Sequence, residues 1–371
     1  MRVGVPMETK NNEFRVAITP AGVLELARRG HEVSIQAGAG AGSAISDLDY
    51  LAVGGKIVDS AERVWTEADL ILKVKEPVEA EYRHLCRDQT LFTYLHLAAS
   101  KPCTQALLAA GTTAIAYETV QLPDGSLPLL APMSEVAGRL SAQVGAYHLM
   151  RSHDGRGVLM GGVPGVAPAE VVVIGGGTAG YNSARIAAGM GADVTIFDIN
   201  LERLRDIDAE FGGRIRTRYS WTSDLAAAVK EADLVIGAVL TPGAHAPMLV
   251  SNSLVAQMRS GSVLVDISID QGGCFEDSRP TTHDDPTFMV HESVFYCVSN
   301  MPGSVPRSST FALTNATMPY VLELADRGWR AACQADPALA RGLSTHAGAL
   351  LSERVAADLK LPFTDPADLL A

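Results

Sequence analysis

Two periods alternate along this chain. Short, nearly continuous apolar runs fall at residues 1–5, 32–36, 70–74, 90–94 and 113–116. Between them apolar residues recur three or four apart, as in 20–29, where Pro20 suits the first turn of a helix. Buried strands alternating with amphipathic helices predict βαβ units around a parallel sheet. A longer helical run is predicted at 134–151, with Ser134 and Glu135 as its start signal. The glycine- and proline-rich connection GVLMGGVPGVAPAE (157–170) follows. A second strand series then falls at 171–174, 193–197, 234–238, 262–267 and 295–299, with a shorter one near 214–217. After about residue 310 the pattern predicts only helices and turns, and the amphipathic stretches 312–333 and 348–359 must cover a core built elsewhere. The fold class is therefore α/β, with two doubly wound domains. Residues 1–128 and 307–371 are expected to form a discontinuous domain into which 129–306 is inserted. A cleft between two such domains is a common place for a ligand.

The inserted domain opens with VVVIGGGTAGYNSARIAAGMGADVTIFD. Gly175, Gly177 and Gly180 give G-x-G-x-x-G between a buried strand and a helix, and Asp198 ends the next strand. The first glycine permits a tight turn, the second lets the backbone approach a pyrophosphate, and the third lets helix pack on strand. The helix N-terminus offers N–H groups and a positive dipole end to phosphate. Asp198 can accept hydrogen bonds from ribose hydroxyls and would repel a 2′-phosphate, which favours NAD over NADP; Arg203, shortly after it, softens that preference. A glycine-rich turn in a non-nucleotide protein is the bland alternative. The strand, loop, helix, strand and acid in sequence argue for a Rossmann NAD-binding domain.

Composition narrows the field. Of 371 residues 47% are hydrophobic and 19% charged, an ordinary globular balance. The formal net charge of −12 argues against a nucleic-acid partner. No apolar run is long enough to span a bilayer, and MRVGVPMETK lacks the regions of a signal peptide. The five cysteines, Cys86, Cys103, Cys274, Cys297 and Cys333, are scattered and form no CxxC pair. Such spacing suits a reducing cytoplasm rather than a disulfide framework.

Several segments carry a likeness that spans nearly the whole chain: GVPMETKNNEFRVAITP, LLAPMSEVAGRLSAQVGAYHL, GVPGV, the glycine loop, VDISIDQGGCFEDSRPTTHDDPTF and ALTNATMPYVLELA. Together they resemble alanine dehydrogenases and the nucleotide-binding subunits of proton-translocating transhydrogenases, and the former more closely. The resemblance implies a soluble homohexamer that converts L-alanine, NAD⁺ and water to pyruvate, ammonium, NADH and a proton, with glyoxylate amination as a side activity. A transhydrogenase subunit, a related amino-acid dehydrogenase and a non-enzymatic NAD sensor are the alternatives.

It also implies a site. Arg15, in NEFRVAITP, would bind the substrate carboxylate, which a guanidinium grips through both oxygens. Lys75, in ILKVKEP at the end of a strand pattern, would join it; Lys73 is expected to be a neighbour, and Glu76 a partner for either lysine. His96, in LFTYLHLAAS, reads locally as a buried structural ring. Its place just past a strand, at the same edge as Lys75, and the likeness together assign it proton transfer. Asp270, in VDISIDQGG, would be the second acid or base, whereas Asp266 within the strand pattern reads as structural.

Further cofactor contacts follow from the resemblance alone: Ser134, Thr178, Ala179, Ser220, Val239, Leu240, Ile267, Arg279, Val298, Ser299, Asn300 and Met301, with Asp270 shared. Some relatives carry Glu and His one helical turn apart as a magnesium pair. Here the segment reads ELADR, so Arg327 is expected to pair with Glu323, and no protein-held metal is predicted.

Overall fold

The computed structural model describes residues 1–239 and 246–370. The chain divides into two compact units, one of Met1–Met133 with Val305–Ala371 and one of Ser134–Ser304. The first contributes β1 (Arg2–Val5), β2 (Glu32–Gln36), β3 (Lys56–Val58), β4 (Leu70–Leu72), β5 (Thr90–Thr93) and β6 (Thr113–Ala116). The second contributes β7 (Glu170–Ile174), β8 (Asp193–Asp198), β9 (Ile215–Tyr219), β10 (Leu234–Gly237), β11 (Val263–Asp266), β12 (Thr287–Val290) and β13 (Ser293–Tyr296). The chain then returns to the first unit with β14 (Leu343–His346) and β15 (Ala349–Leu350).

In the first unit the sheet order is β15-β14-β6-β5-β4-β1-β2-β3. Strands β1 to β6 run parallel, and β14 and β15 close one edge antiparallel. In the second unit the order is β12-β13-β11-β10-β7-β8-β9, parallel except for β12. In both sheets successive strands first spread to one side of the opening strand and then to the other. The order thus reverses between β1 and β4 in one unit and between β7 and β10 in the other. Open α/β sheets bind ligands outside the carboxyl ends of their strands at such a switch point. Both sheets are buried by apolar side chains. One cluster gathers Trp65, Ile71, Leu91, Leu95 and Ala114, and another gathers Val172, Ile174, Phe197, Val235, Leu264 and Phe295.

The pattern predicts only helices and turns after about residue 310, yet β14 and β15 lie there. Their sequence hides them, because LSTH is mostly polar. Its Ser344 and Thr345 are nonetheless buried, their hydroxyls donating to the carbonyls of Gly342 (3.0 Å) and Thr112 (2.9 Å). The predicted helix 348–359 is accordingly shorter. It runs Glu353–Leu359 and starts where the Ser352 hydroxyl accepts from Val355 N. The long C-terminal helix is Pro306–Ala335, broken in geometry at Gly328. The helix expected from Ser134 begins earlier, at Ala131, and ends at His148. Pro132 needs no N–H partner in the first turn, so Ser134 lies inside that turn rather than capping it. No helix among the described residues is long and apolar enough to cross a membrane.

Candidate active site

Four neighbouring parallel strands of the first unit end side by side, and each is followed by chemistry-bearing residues. Past β1 come Glu8, Glu13 and Arg15; past β4 come Lys73, Lys75 and Glu76; past β5 come Tyr94 and His96; past β6 comes Glu118.

Arg15 is only 2% exposed and is gripped bidentately by Glu13, with Nε to Oε1 at 2.6 Å and Nη2 to Oε2 at 2.5 Å. Burial opposes its charge, but the Glu13 bonds outweigh burial and hold the guanidinium protonated above its ordinary range. Nη1 reaches Met133 Sδ at 3.0 Å. Lys73, fully buried, is locked in a triad across the switch point. Its Nζ donates to Glu8 Oε2 and Glu81 Oε1, both at 3.0 Å. Burial again works against the charge, and the two carboxylates reverse it, raising the ammonium pKa. Burial wins at Glu8, whose carboxyl is pushed up despite Lys73. Lys73, expected to be a neighbour of the site, is paired and tied into the scaffold.

Lys75 is nearly buried, and its carbonyl accepts the Thr93 hydroxyl at 3.0 Å. Glu76, the expected partner of Lys73 or Lys75, accepts a hydrogen bond from Lys10 and interacts with the charge of Lys75. Burial alone would raise the Glu76 carboxyl. The Lys10 bond and the charges of Lys10, Lys75 and His96 outweigh it and hold the carboxyl below its usual range. Its electrostatic neighbourhood therefore includes both expected site residues. Tyr94 stacks on His96 with ring centroids 5.9 Å apart and planes within 10°. The Tyr94 hydroxyl donates to Leu129 O at 2.6 Å. Burial raises the Tyr94 pKa, and the nearby Arg15 charge opposes that rise. Tyr94 and Glu76 thus link Arg15, Lys75 and His96 in one cluster.

His96 has φ 46° and ψ 42°, the left-handed region that non-glycine residues seldom enter. Glu118 holds it there. The carboxylate accepts His96 N at 2.7 Å and Leu95 N at 3.2 Å. Such a conformation persists only where its surroundings hold it in place, as the Glu118 carboxylate does here.

In the second unit β7 delivers the glycine loop. Gly175 has φ +100°, and a Cβ there would meet Ala238 O at 2.7 Å. A Cβ on Gly180 would lie 1.8 Å from Gly175 O, so only glycine lets this helix pack so closely. Gly177 precedes the helix Thr178–Gly189 with no side-chain cap, and nothing lies within 4 Å of its Cβ direction. Open space beside uncapped N–H groups fits a dinucleotide pyrophosphate. Thr178 and Ala179 are the first two residues of that helix. Asp198 ends β8, accepting Gly176 N at 2.5 Å through Oδ2 and Asn200 N at 2.7 Å through Oδ1. Arg203 turns back on the loop, with Nε donating to Gly176 O at 2.6 Å and the guanidinium over the Tyr181 ring.

Several of the other expected cofactor residues follow strands of the same sheet. Ser220 follows β9, its N–H donating to Asp198 O at 3.0 Å. Val239 follows β10; Leu240 lies outside the described residues. Ile267 and Asp270 belong to the 3-10 turn Ile267–Gln271 after β11, not to the strand that the pattern predicts through 267. Asp270 is exposed. Val298, Ser299, Asn300 and Met301 follow β13, which ends at Tyr296 rather than at 299. Arg279 reaches this row indirectly, through a segment whose Thr281 N donates to Cys297 O at 2.9 Å. Its guanidinium lies 4.2 Å above the Phe288 ring. Ser134 is half-buried in the first turn of its helix.

Glu13, Tyr94 and Glu118 escape the sequence reading. A signal existed for Glu118, which follows β6 much as His96 follows β5. Among the described residues no three His, Cys, Asp or Glu side chains converge as a metal site. Arg327 pairs with Glu323 at 2.7 Å, as expected.

Comparison with known proteins agrees with this layout. The model of the alanine dehydrogenase/PNT N-terminal domain matches residues 4–137, and that of the C-terminal domain matches 141–353. The chain is 75% identical over 371 residues to an alanine dehydrogenase of Mycolicibacterium smegmatis and 74% identical to one of Mycobacterium tuberculosis, covering all of each. A solved structure of an L-alanine dehydrogenase is 52% identical and superposes with a TM-score of 0.94, over 97% of this chain and 99% of that one. With two domain models spanning nearly its full length and relatives this similar throughout, the chain belongs to the alanine dehydrogenase/PNT family.

Proposed function

We propose that this chain is an NAD-dependent oxidoreductase that reversibly deaminates L-alanine to pyruvate and ammonium. The observation that carries the reading is the end-to-end match with alanine dehydrogenases, and the cation cluster and the glycine loop support it. The family implies a pyridine nucleotide. NAD rather than NADP is inferred from Asp198, whose carboxylate ends β8 beside the glycine loop and would repel a 2′-phosphate.

Arg15 and Lys75 bind the substrate carboxylate. Glu13 fixes the plane in which the guanidinium presents its donors, so the substrate is oriented as well as held. Such positioning can supply much of a rate enhancement. Bound NAD⁺ would accept the hydride from the substrate Cα. His96 and Asp270 take and return the protons that accompany water addition to the resulting imine and release of ammonia. An imidazole suits both directions of that relay. Ser134, Thr178, Ala179, Ser220, Val239, Leu240, Ile267, Arg279, Val298, Ser299, Asn300 and Met301 are proposed cofactor contacts beside the glycine loop. Glyoxylate, a smaller oxo acid, is a second amination substrate in this reading. A cytoplasmic homohexamer is the proposed form, since soluble oligomers are commonly closed and symmetric.

The test is a panel of amino acids mixed with purified protein and NAD⁺ at alkaline pH, followed by NADH absorbance. The expected result is a signal that depends on L-alanine. Absence of that signal, or a larger one with a bulkier amino acid, would sink the proposal.

A further inference from the structure

Asp266 ends β11 fully buried, and the ion pairs among the described residues include none with it. Neutral donors converge on it instead, and they come from the loop that follows. Oδ1 accepts Ser268 N at 2.9 Å; Oδ2 accepts Cys274 N at 2.9 Å and the Ser278 hydroxyl at 2.5 Å. The loop passes so close that a Cβ on Gly273, whose φ is +79°, would lie 2.7 Å from Oδ2. One carboxylate therefore gathers positions 268, 274 and 278, which straddle the exposed Asp270. Burial pushes the Asp266 carboxyl up, and these donors pull against that. Two further bonds steady the same turn: Ser268 Oγ to Val239 O at 2.8 Å and Ala246 N to Gln271 O at 3.0 Å.

We propose that Asp266 is a positioning residue, the pin that closes the loop of residues 267–278 and so holds Asp270 where it can exchange protons with the substrate. The inference rests on the reading that Asp270 is an acid or base of the reaction. It assigns to a residue with no access to substrate a share of the turnover rate, because a displacement of about 1 Å at a reacting group can cost about a hundredfold.

The test is Asp266→Asn, which keeps the shape but puts an N–H group where an acceptor oxygen served Ser268 N or Cys274 N. Amide hydrogen exchange at Ser268 and Cys274 should speed up at least about tenfold. The kcat for alanine oxidation should fall about 30- to 100-fold, with KM for alanine within about threefold of the parent and Kd for NADH, which Ile267 of the same loop is proposed to contact, raised by less than about tenfold. Ser278→Ala removes one donor only and should give a smaller loss of kcat with the same split; it decides the question if Asp266→Asn does not fold. Unchanged exchange, or faster exchange with kcat within twofold, overturns the proposal. So does a loss of NADH affinity in step with kcat, the mark of a collapsed nucleotide sheet edge. Asp270→Asn is measured alongside. If it keeps full turnover, the assignment of Asp270 fails and the pin loses its catalytic purpose, while the exchange rates still report whether Asp266 closes the loop.

Discussion

Replacing Glu118 with alanine removes the clamp on the left-handed backbone of His96. The balance can be worked from the geometry. A non-glycine residue in this region costs about 1–2 kcal/mol. Against that stands one short charge-assisted bond, Glu118 to His96 N at 2.7 Å, with a longer shared one to Leu95 N. A hydrogen bond to a charged group contributes about 1.5–3 kcal/mol, so the clamp outweighs the strain by a small margin. Without it the strain is uncompensated, two backbone donors lose their partner, and the chain relaxes toward an extended conformation that swings the imidazole away. Glu118→Ala should therefore destabilise the first unit by about 2–3 kcal/mol, read as a fall of several degrees in melting temperature. It should lower kcat for alanine oxidation about a hundredfold, well beyond what lost stability explains at a temperature where the variant is folded. Glu118→Gln, which keeps one acceptor, should fall between. The assay is steady-state NADH formation at 25 °C beside a thermal melt. A variant that melts lower yet turns over within twofold of the parent would refute the link between this backbone geometry and the chemistry.

Three further outcomes follow from other sites. Lys73→Met leaves Glu8 and Glu81 buried without their cation and should cost about 3–5 kcal/mol in urea unfolding; adding Glu8→Gln and Glu81→Gln should recover part of it, and a loss under about 1 kcal/mol for the single variant would contradict the triad's role. Gly180→Ala forces a methyl to within 1.8 Å of Gly175 O, so NADH affinity by fluorescence titration should drop more than tenfold; an unchanged Kd would refute the tight loop. His148 is buried with an unpartnered Nδ1, and burial first, then His153, lowers its pKa below 6.5. The folded state thus binds its proton less readily than the unfolded state, so the stability it carries is complete above pH 6.5 and is lost as pH falls from there through the lower pKa of the folded state. His148→Phe should lose less stability than the parent on acidification in chemical denaturation at stepped pH; parallel curves would refute the sign.

Much of this was legible in the sequence because it rests on local rules. Parallel central strands bury both faces and read as apolar runs, so β1, β2 and β4 to β8 stand out. The glycine loop is visible because each glycine answers a separate steric demand. The peripheral strands β3, β12, β14 and β15 are not, since they are short and carry mixed residues, and β14 takes its register from β6, far away in sequence. The supporting carboxylates follow the same logic. Glu13 lies two residues from Arg15 and Glu118 far from His96, and nothing in spacing says that one grips a guanidinium and the other a pair of backbone amides. Asp266 looked like strand filling beside Asp270, although its carboxylate organises the loop that carries Asp270.

The most direct measurement concerns His96 itself. His96→Ala should fold, melt close to the parent and bind NADH with similar affinity, because the nucleotide loop belongs to the other unit. Its kcat for alanine oxidation should fall by about 10²–10⁴, the usual worth of a general acid or base. A variant that binds NADH and still oxidises alanine at a rate within a few-fold of the parent would contradict the account and return His96 to the role of a core side chain.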